Sequence, residues 1–164
     1  MSDHGYMGEK TAVSIMVWII GVDPPCPRCD LMRQRVERIC KEIGGNFTFK
    51  YSVYSDSESK KFAMSIGKQT GTATHVAKQA GINVDSDHVR AIINTPPSHP
   101  EDFDEIRGKA LKWSPELDEE LRPCQEKAES LGMLITPILV VNGEVKHHGS
   151  VPSLKQSRRI GNDR

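Results

Sequence analysis

Aromatic residues are scarce, at 5% of the 164 residues, and net charge is absent because 22 Lys and Arg balance 22 Asp and Glu. A neutral chain lacks the basic face that nucleic acid or an anionic membrane requires, so neither is expected as a partner. Cysteines number only four, too few and too unevenly spaced for a secreted scaffold stapled by disulfides. Long apolar runs are missing too. The first, residues 12–20, falls short of the about 20 residues that span a bilayer. Acids as well as Lys10 precede it and no small-x-small cleavage site follows, so no signal peptide is expected and a cytoplasmic setting is. There is no internal repeat, no low-complexity tract and no second CxxC. What remains has the length of one domain, 1–164, long enough to bury roughly 68–70% of its unfolded surface without disulfide or metal.

Periodicity supplies the elements. Residues 11–20 (TAVSIMVWII) form a continuous apolar run bounded by Gly21 and a proline pair, the pattern of a buried strand. A helix follows to about Ile43, with Cys29, Met32, Val36, Cys40 and Ile43 on one stripe and Arg33, Arg35, Glu37, Arg38 and Lys41 on the remaining surface. Gly44-Gly45 ends it. Residues 46–54 alternate, with Phe47, Phe49, Tyr51 and Val53 against Thr48, Lys50, Ser52 and Tyr54, which predicts a half-exposed edge strand. Strand, helix and strand at these lengths make a right-handed βαβ unit.

Residues 55–113 read as a helical insertion. Ser55 with Glu58 fits a capping box, Ala73 to Ala80 a second helix, Val89 to Ile93 a third, and Phe103, Ile106, Ala110 and Trp113 a fourth, after an extended loop over 94–100. Ser114-Pro115 opens the next helix, whose face is Leu117, Leu121, Cys124, Ala128 and Leu131 and which Pro123 is expected to kink or split. Residues 133–141 predict a buried strand interrupted by Thr136-Pro137, Asn142-Gly143 a type I′ turn, and 144–148 its antiparallel partner. A short polar helix closes the chain from about Ser153.

Chemistry concentrates at Cys26-Pro27-Arg28-Cys29, between a strand and a helix. Unpaired N–H groups and the helix dipole at that junction favour an anion, so the Cys26 thiolate is stabilised. Arg28 adds a charge of helpful sign, and Pro27 loses no hydrogen bond there. Cys29 lies one turn on, within reach of Cys26 but on the apolar stripe. The pair combines an exposed attacking sulfur with a shielded resolving one. Pro137, inside a buried strand, removes a ladder bond. A cis Thr136–Pro137 bond is expected, leaving an unpaired backbone edge beside the dithiol that an extended peptide can join.

These residues resemble the thioredoxin superfamily over roughly 11–54 and 114–154. The run from Ile135 to Val145, continuing through Gly149 to Ser153, looks most like the small redox-active disulfide proteins, and the place of the insertion is similar to that in DsbA-type oxidoreductases. The resemblance implies an α/β thioredoxin-like fold, βαβ…αββα, with a mixed four-stranded sheet carrying 55–113 as an insertion. It implies thiol–disulfide exchange with Cys26 as nucleophile, Cys29 as resolving thiol and Pro137 as the cis proline. Pro25, Pro27, Arg28, Thr136 and Pro137 would face substrate, with Thr136 offering its backbone. The redox group would be the Cys26–Cys29 disulfide itself, with no other cofactor and no metal. The partners would be a protein disulfide and a thiol reductant or oxidant. The central Pro-Arg matches neither the Gly-Pro of typical thioredoxins nor the Pro-Tyr of glutaredoxins.

Other groups read more simply. Cys40 lies about 16 Å along the helix from Cys29, at 1.5 Å per residue, and Cys124 sits on an apolar face, so both are expected as core residues. His147 and His148 point to opposite faces of a strand and are expected as solvated polarity. His75, Asp85, Asp87 and His88 are expected as surface and capping groups. Two alternatives stay open: an interaction module using the insertion, and a soft-metal (Zn or Cu) carrier through the CxxC. The second lacks the two further ligands that a structural zinc site needs.

Overall fold

Both faces of the first strand are buried, so it has to lie inside a sheet covered on two sides. In β1 (Ile15–Gly21), Val17 and Ile19 enter one hydrophobic cluster while Trp18 and Ile20 enter another. The structure, a computed structural model, describes residues 14–97 and 100–162. Residues 11–13 of the expected first strand, the segment before it that bears on a signal peptide, and positions 98–99 of the loop at 94–100 lie outside the described residues.

β1 is followed by α1 (Pro27–Ile43) and β2 (Phe47–Val53), and β1 and β2 pair in parallel with Ile19 opposite Tyr51. Gly44 takes the left-handed conformation, φ +78°, and its N–H bonds back to the Cys40 carbonyl. β5 (Ile138–Val141) runs antiparallel to β1, and β6 (Glu144–His148) antiparallel to β5. The result is a mixed four-stranded sheet in the order β2-β1-β5-β6. Asn142 and Gly143 both have positive φ, as a type I′ turn demands.

The segment 55–113 contains α2 (Ser57–Ser65), β3 (Gln69–Gly71), α3 (Ala73–Ala80) and α4 (Ser86–Ile93). Then come α5 (Pro115–Ser130), β4 (Met133–Ile135) and, after β6, α6 (Leu154–Asn162). One sheet face packs on α1, α6, Leu117 of α5 and Ile106, Ala110 and Trp113. The other meets Phe62 and Ala63 of α2. A third cluster joins α3, α5 and β4 around Val76, Cys124, Ala128 and Ile135.

Several expectations are corrected. The run 133–141 is two strands in two sheets: Pro137 has no N–H for a ladder, so β4 stops at Ile135 and pairs in parallel with β3. The insertion is therefore not wholly helical. Residues 103–113 form two 3₁₀ turns, Phe103–Glu105 and Gly108–Lys112, rather than one helix. Gly108 has positive φ, and the Ala110 N–H is taken by the Asp30 carboxylate at 3.1 Å. α5 runs through Pro123 without splitting, because that proline is on the exposed face, where the carbonyl it orphans can meet water. α2 starts after Asp56, not Ser55, and the capping box belongs to Thr72 and His75 at α3. Arg35 is 3% exposed, held by Asp102 at 2.8 and 2.9 Å and by the Pro152 carbonyl at 3.2 Å. β2 is a half-exposed edge strand as expected, with Phe47 and Tyr51 packed on the core and Thr48 exposed, but its two sides do not separate cleanly. Ser52 is buried and accepts from the Trp18 indole at 3.0 Å, whereas Phe49 is exposed.

Candidate active site

Cys26 ends the loop after β1 and is the N-cap residue of α1, extended at φ −78° and ψ 172°. Pro27 occupies the first helical position, where its fixed φ suits the helix. The Cys26 sulfur accepts from the Cys29 N–H at 3.5 Å and lies 3.4 Å from the Cys29 sulfur. Both are free thiols. Cys26 is half-buried and Cys29 is fully buried.

The two thiols are driven apart in acidity. A hydrogen bond from the Cys29 thiol lowers the Cys26 pKa most; burial opposes it, and the Cys29 N–H and the Arg28 charge reinforce it, leaving about 6. Cys29 moves far upward, first through its bond with Cys26 and then through burial, while the Val22 N–H and the Tyr51 hydroxyl act against that rise. Near neutral pH the pair is one thiolate and one thiol. Such a pair can attack a disulfide with the outer sulfur and close on it with the inner one.

Arg28 is buried at 6% exposure and does not hang over Cys26 freely. Its Nε donates to Asp118 at 2.8 Å, and an outer nitrogen approaches the Thr136 carbonyl at 3.5 Å. Asp118 also accepts from the Trp113 indole at 3.2 Å and the Val151 N–H at 2.9 Å. One carboxylate on α5 thus ties the CxxC to the segment after β6.

The Thr136–Pro137 peptide is cis, and so is Asp23–Pro24. The edge expected to be open beside it is occupied. The Thr136 N–H donates to the Gly71 carbonyl of β3 at 3.0 Å, and Thr136 and Pro137 are buried. Of the five residues expected to face substrate, Pro25 and Pro27 are half-exposed and the other three are buried. A cleft of about 370 Å³ does open at the dithiol, where Cys26, Pro27, Arg28 and Thr136 meet Val84 and Val89 of the insertion and Leu117 and Leu121 of α5.

The sequence reading missed Tyr51, Gly21 and Asp118. Tyr51 donates to the Val22 carbonyl at 2.6 Å. A Cβ at Gly21 would lie 2.3 Å from the Tyr51 oxygen and 2.8 Å from the Cys29 sulfur, so only glycine admits both atoms there. The parallel register, which puts the end of β2 beside the end of β1, was the available signal. His147 and His148 are half-buried rather than solvated. His147 contacts the Ser150 hydroxyl at 2.8 Å, His148 accepts from the Ile135 N–H at 3.2 Å, and burial pushes both pKa values down. Asp85 caps α4 by accepting from the His88 N–H at 3.0 Å. Cys40 and Cys124 are buried. Among the described residues no helix is long and apolar enough to cross a membrane. No protein-family model, curated protein or solved structure matches the chain.

Proposed function

We propose that the chain is a thioredoxin-like thiol–disulfide oxidoreductase that exchanges its Cys26–Cys29 pair with disulfides of protein partners in the cytoplasm. The observation that carries this reading is the half-exposed Cys26 sulfur at the head of α1, 3.4 Å from a buried Cys29 sulfur and much more acidic than it. The sheet order β2-β1-β5-β6, with one parallel pair and a final antiparallel hairpin, supports the thioredoxin-like assignment. Cys26 attacks one sulfur of the substrate disulfide and the other leaves as a thiolate. Cys29 then displaces the bound sulfur, so the dithiol loses two electrons and the substrate disulfide gains two. An external thiol reductant resets the pair. The test is turnover of a protein disulfide by the reduced chain under a thiol donor. Catalysis is expected from the wild type and loss of at least a hundredfold from Cys26→Ala; equal rates for the two contradict the reading.

One observation favours a different reading, a binding module without turnover. β3 fills the edge on which an extended peptide would pair at Thr136. Under exchange, substrate is therefore received by the cleft beside Cys26 and not by strand addition at that N–H. Covalent trapping separates the two readings.

A further inference from the structure

Closing on the mixed disulfide requires Cys29 as a thiolate. In that intermediate Cys26 is bonded to substrate and no longer raises the Cys29 pKa, but Cys29 is fully buried and burial still opposes its ionisation. Something has to make its ionisation affordable. The groups that lower its pKa most are the Val22 N–H and the Tyr51 hydroxyl. Residue 20, one step before Gly21 on β1, is a fully buried isoleucine.

Tyr51 reaches the sulfur from the neighbouring strand. It lies opposite Ile19 in the parallel register, and its hydroxyl is anchored on the Val22 carbonyl at 2.6 Å. The tyrosine oxygen and the Cys29 sulfur both crowd the open side of Gly21, at 2.3 and 2.8 Å from where a Cβ would stand. The two atoms are therefore separated by no more than the sum of those distances. A hydroxyl is a rotor: it can leave one acceptor for another without moving its oxygen.

We infer that Tyr51 is a catalytic residue of the resolving step, its hydroxyl turning from the Val22 carbonyl to the Cys29 sulfur as that sulfur becomes a thiolate. The inference rests on the exchange reading and adds a group to it. Cys29 loses its proton to water and forms the bond to the Cys26 sulfur. The bond from Cys26 to the substrate sulfur breaks, that sulfur leaves with the electron pair, and it takes up a proton from water. Tyr51 keeps its own proton throughout. Burial holds the phenol far above its ordinary range, with the sulfurs of Cys29 and Cys26 and the Asp23 carboxylate acting in the same direction, so it acts as a donor and not as a base.

A symmetric aromatic disulfide, 5,5′-dithiobis(2-nitrobenzoate), reads the two steps separately. Attack by Cys26 releases one coloured thiolate and closure by Cys29 releases the second. Cys40→Ala and Cys124→Ala remove the other thiols from the assay background. With Tyr51→Phe in that background, the first release is expected to be unchanged and the second slowed roughly ten- to a hundredfold, the usual weight of a hydrogen bond to a charged group. The second phase should also need a higher pH. Equal second phases, or both phases slowed alike, overturn the inference. Should Tyr51→Phe not fold, 3-fluorotyrosine at position 51, a stronger donor of the same shape, should quicken the second phase alone; an unchanged second phase overturns the inference. If the wild type shows no second release, the exchange reading itself fails, and that outcome is distinct from failure of Tyr51.

Discussion

At the scale of single residues, the chemistry depends on the different surroundings of Cys26 and Cys29. With its pKa lowered to about 6, Cys26 should gain alkylation rate as pH rises through 6, whereas a free thiol does so near about 8.5. Buried Cys40 and Cys124 should remain unlabelled there, Cys124 further protected because burial pushes its pKa up. Because the Cys29 thiol is the largest cause of the lowering, Cys29→Ala should move the Cys26 profile to higher pH. Mass mapping of iodoacetamide-treated protein across a pH series checks both. The CxxC at a strand-to-helix junction was legible because its meaning is local: a helix start, a proline and two sulfurs one turn apart. Tyr51 and Asp118 were not, since each acquires its role from a neighbour distant in sequence. Arg35 was misread for the same reason, because a charged residue on a helix looks solvated until Asp102, 67 positions later, meets it.

At the scale of elements, the irregular stretch before α5 is fastened by that pair. Arg35 and Asp102 are each 3% exposed at the side chain and make two parallel hydrogen bonds, with the guanidinium 5.2 Å from the Trp113 ring. Removing Asp102 leaves the buried Arg35 charge with the half-exposed Glu101 carboxylate at 3.7 Å and the Pro152 carbonyl at 3.2 Å in place of its two short carboxylate bonds. Asp102→Ala should therefore cost about 3–5 kcal/mol in urea unfolding, far more than loss of the exposed Arg122–Glu119 pair on α5. Burial pushes the Asp102 carboxyl up, but Arg35 outweighs it and holds the pKa below the ordinary carboxylate value. The contribution is thus complete above about pH 3.9 and is lost progressively as pH falls from there through the lower folded value. A urea series on wild type and variant at pH 7 and at pH 3 measures both statements. Helix positions in the insertion were readable from apolar spacing, and Gly67 and Gly81 take positive φ just beyond two of them. β3 was not, because three residues carry too little period to distinguish a strand from a loop.

At the scale of the whole molecule, the sheet order and the burial of both sheet faces place the CxxC, Thr136 and one wall of the insertion around a cleft. The βαβ start and the closing hairpin were readable from strand composition and the Asn-Gly turn. Division of 133–141 between two sheets was not, because it depends on β3 arriving from the insertion to pair with β4. The central claim is that Cys26 forms, and Cys29 releases, a covalent bond to a partner. It is tested most directly by expressing Cys29→Ser and Cys26→Ser in cytoplasm and resolving both on non-reducing gels with mass identification. Cys29→Ser should accumulate adducts that reductant dissolves and Cys26→Ser should not; adducts no more abundant in Cys29→Ser than in Cys26→Ser would contradict the account.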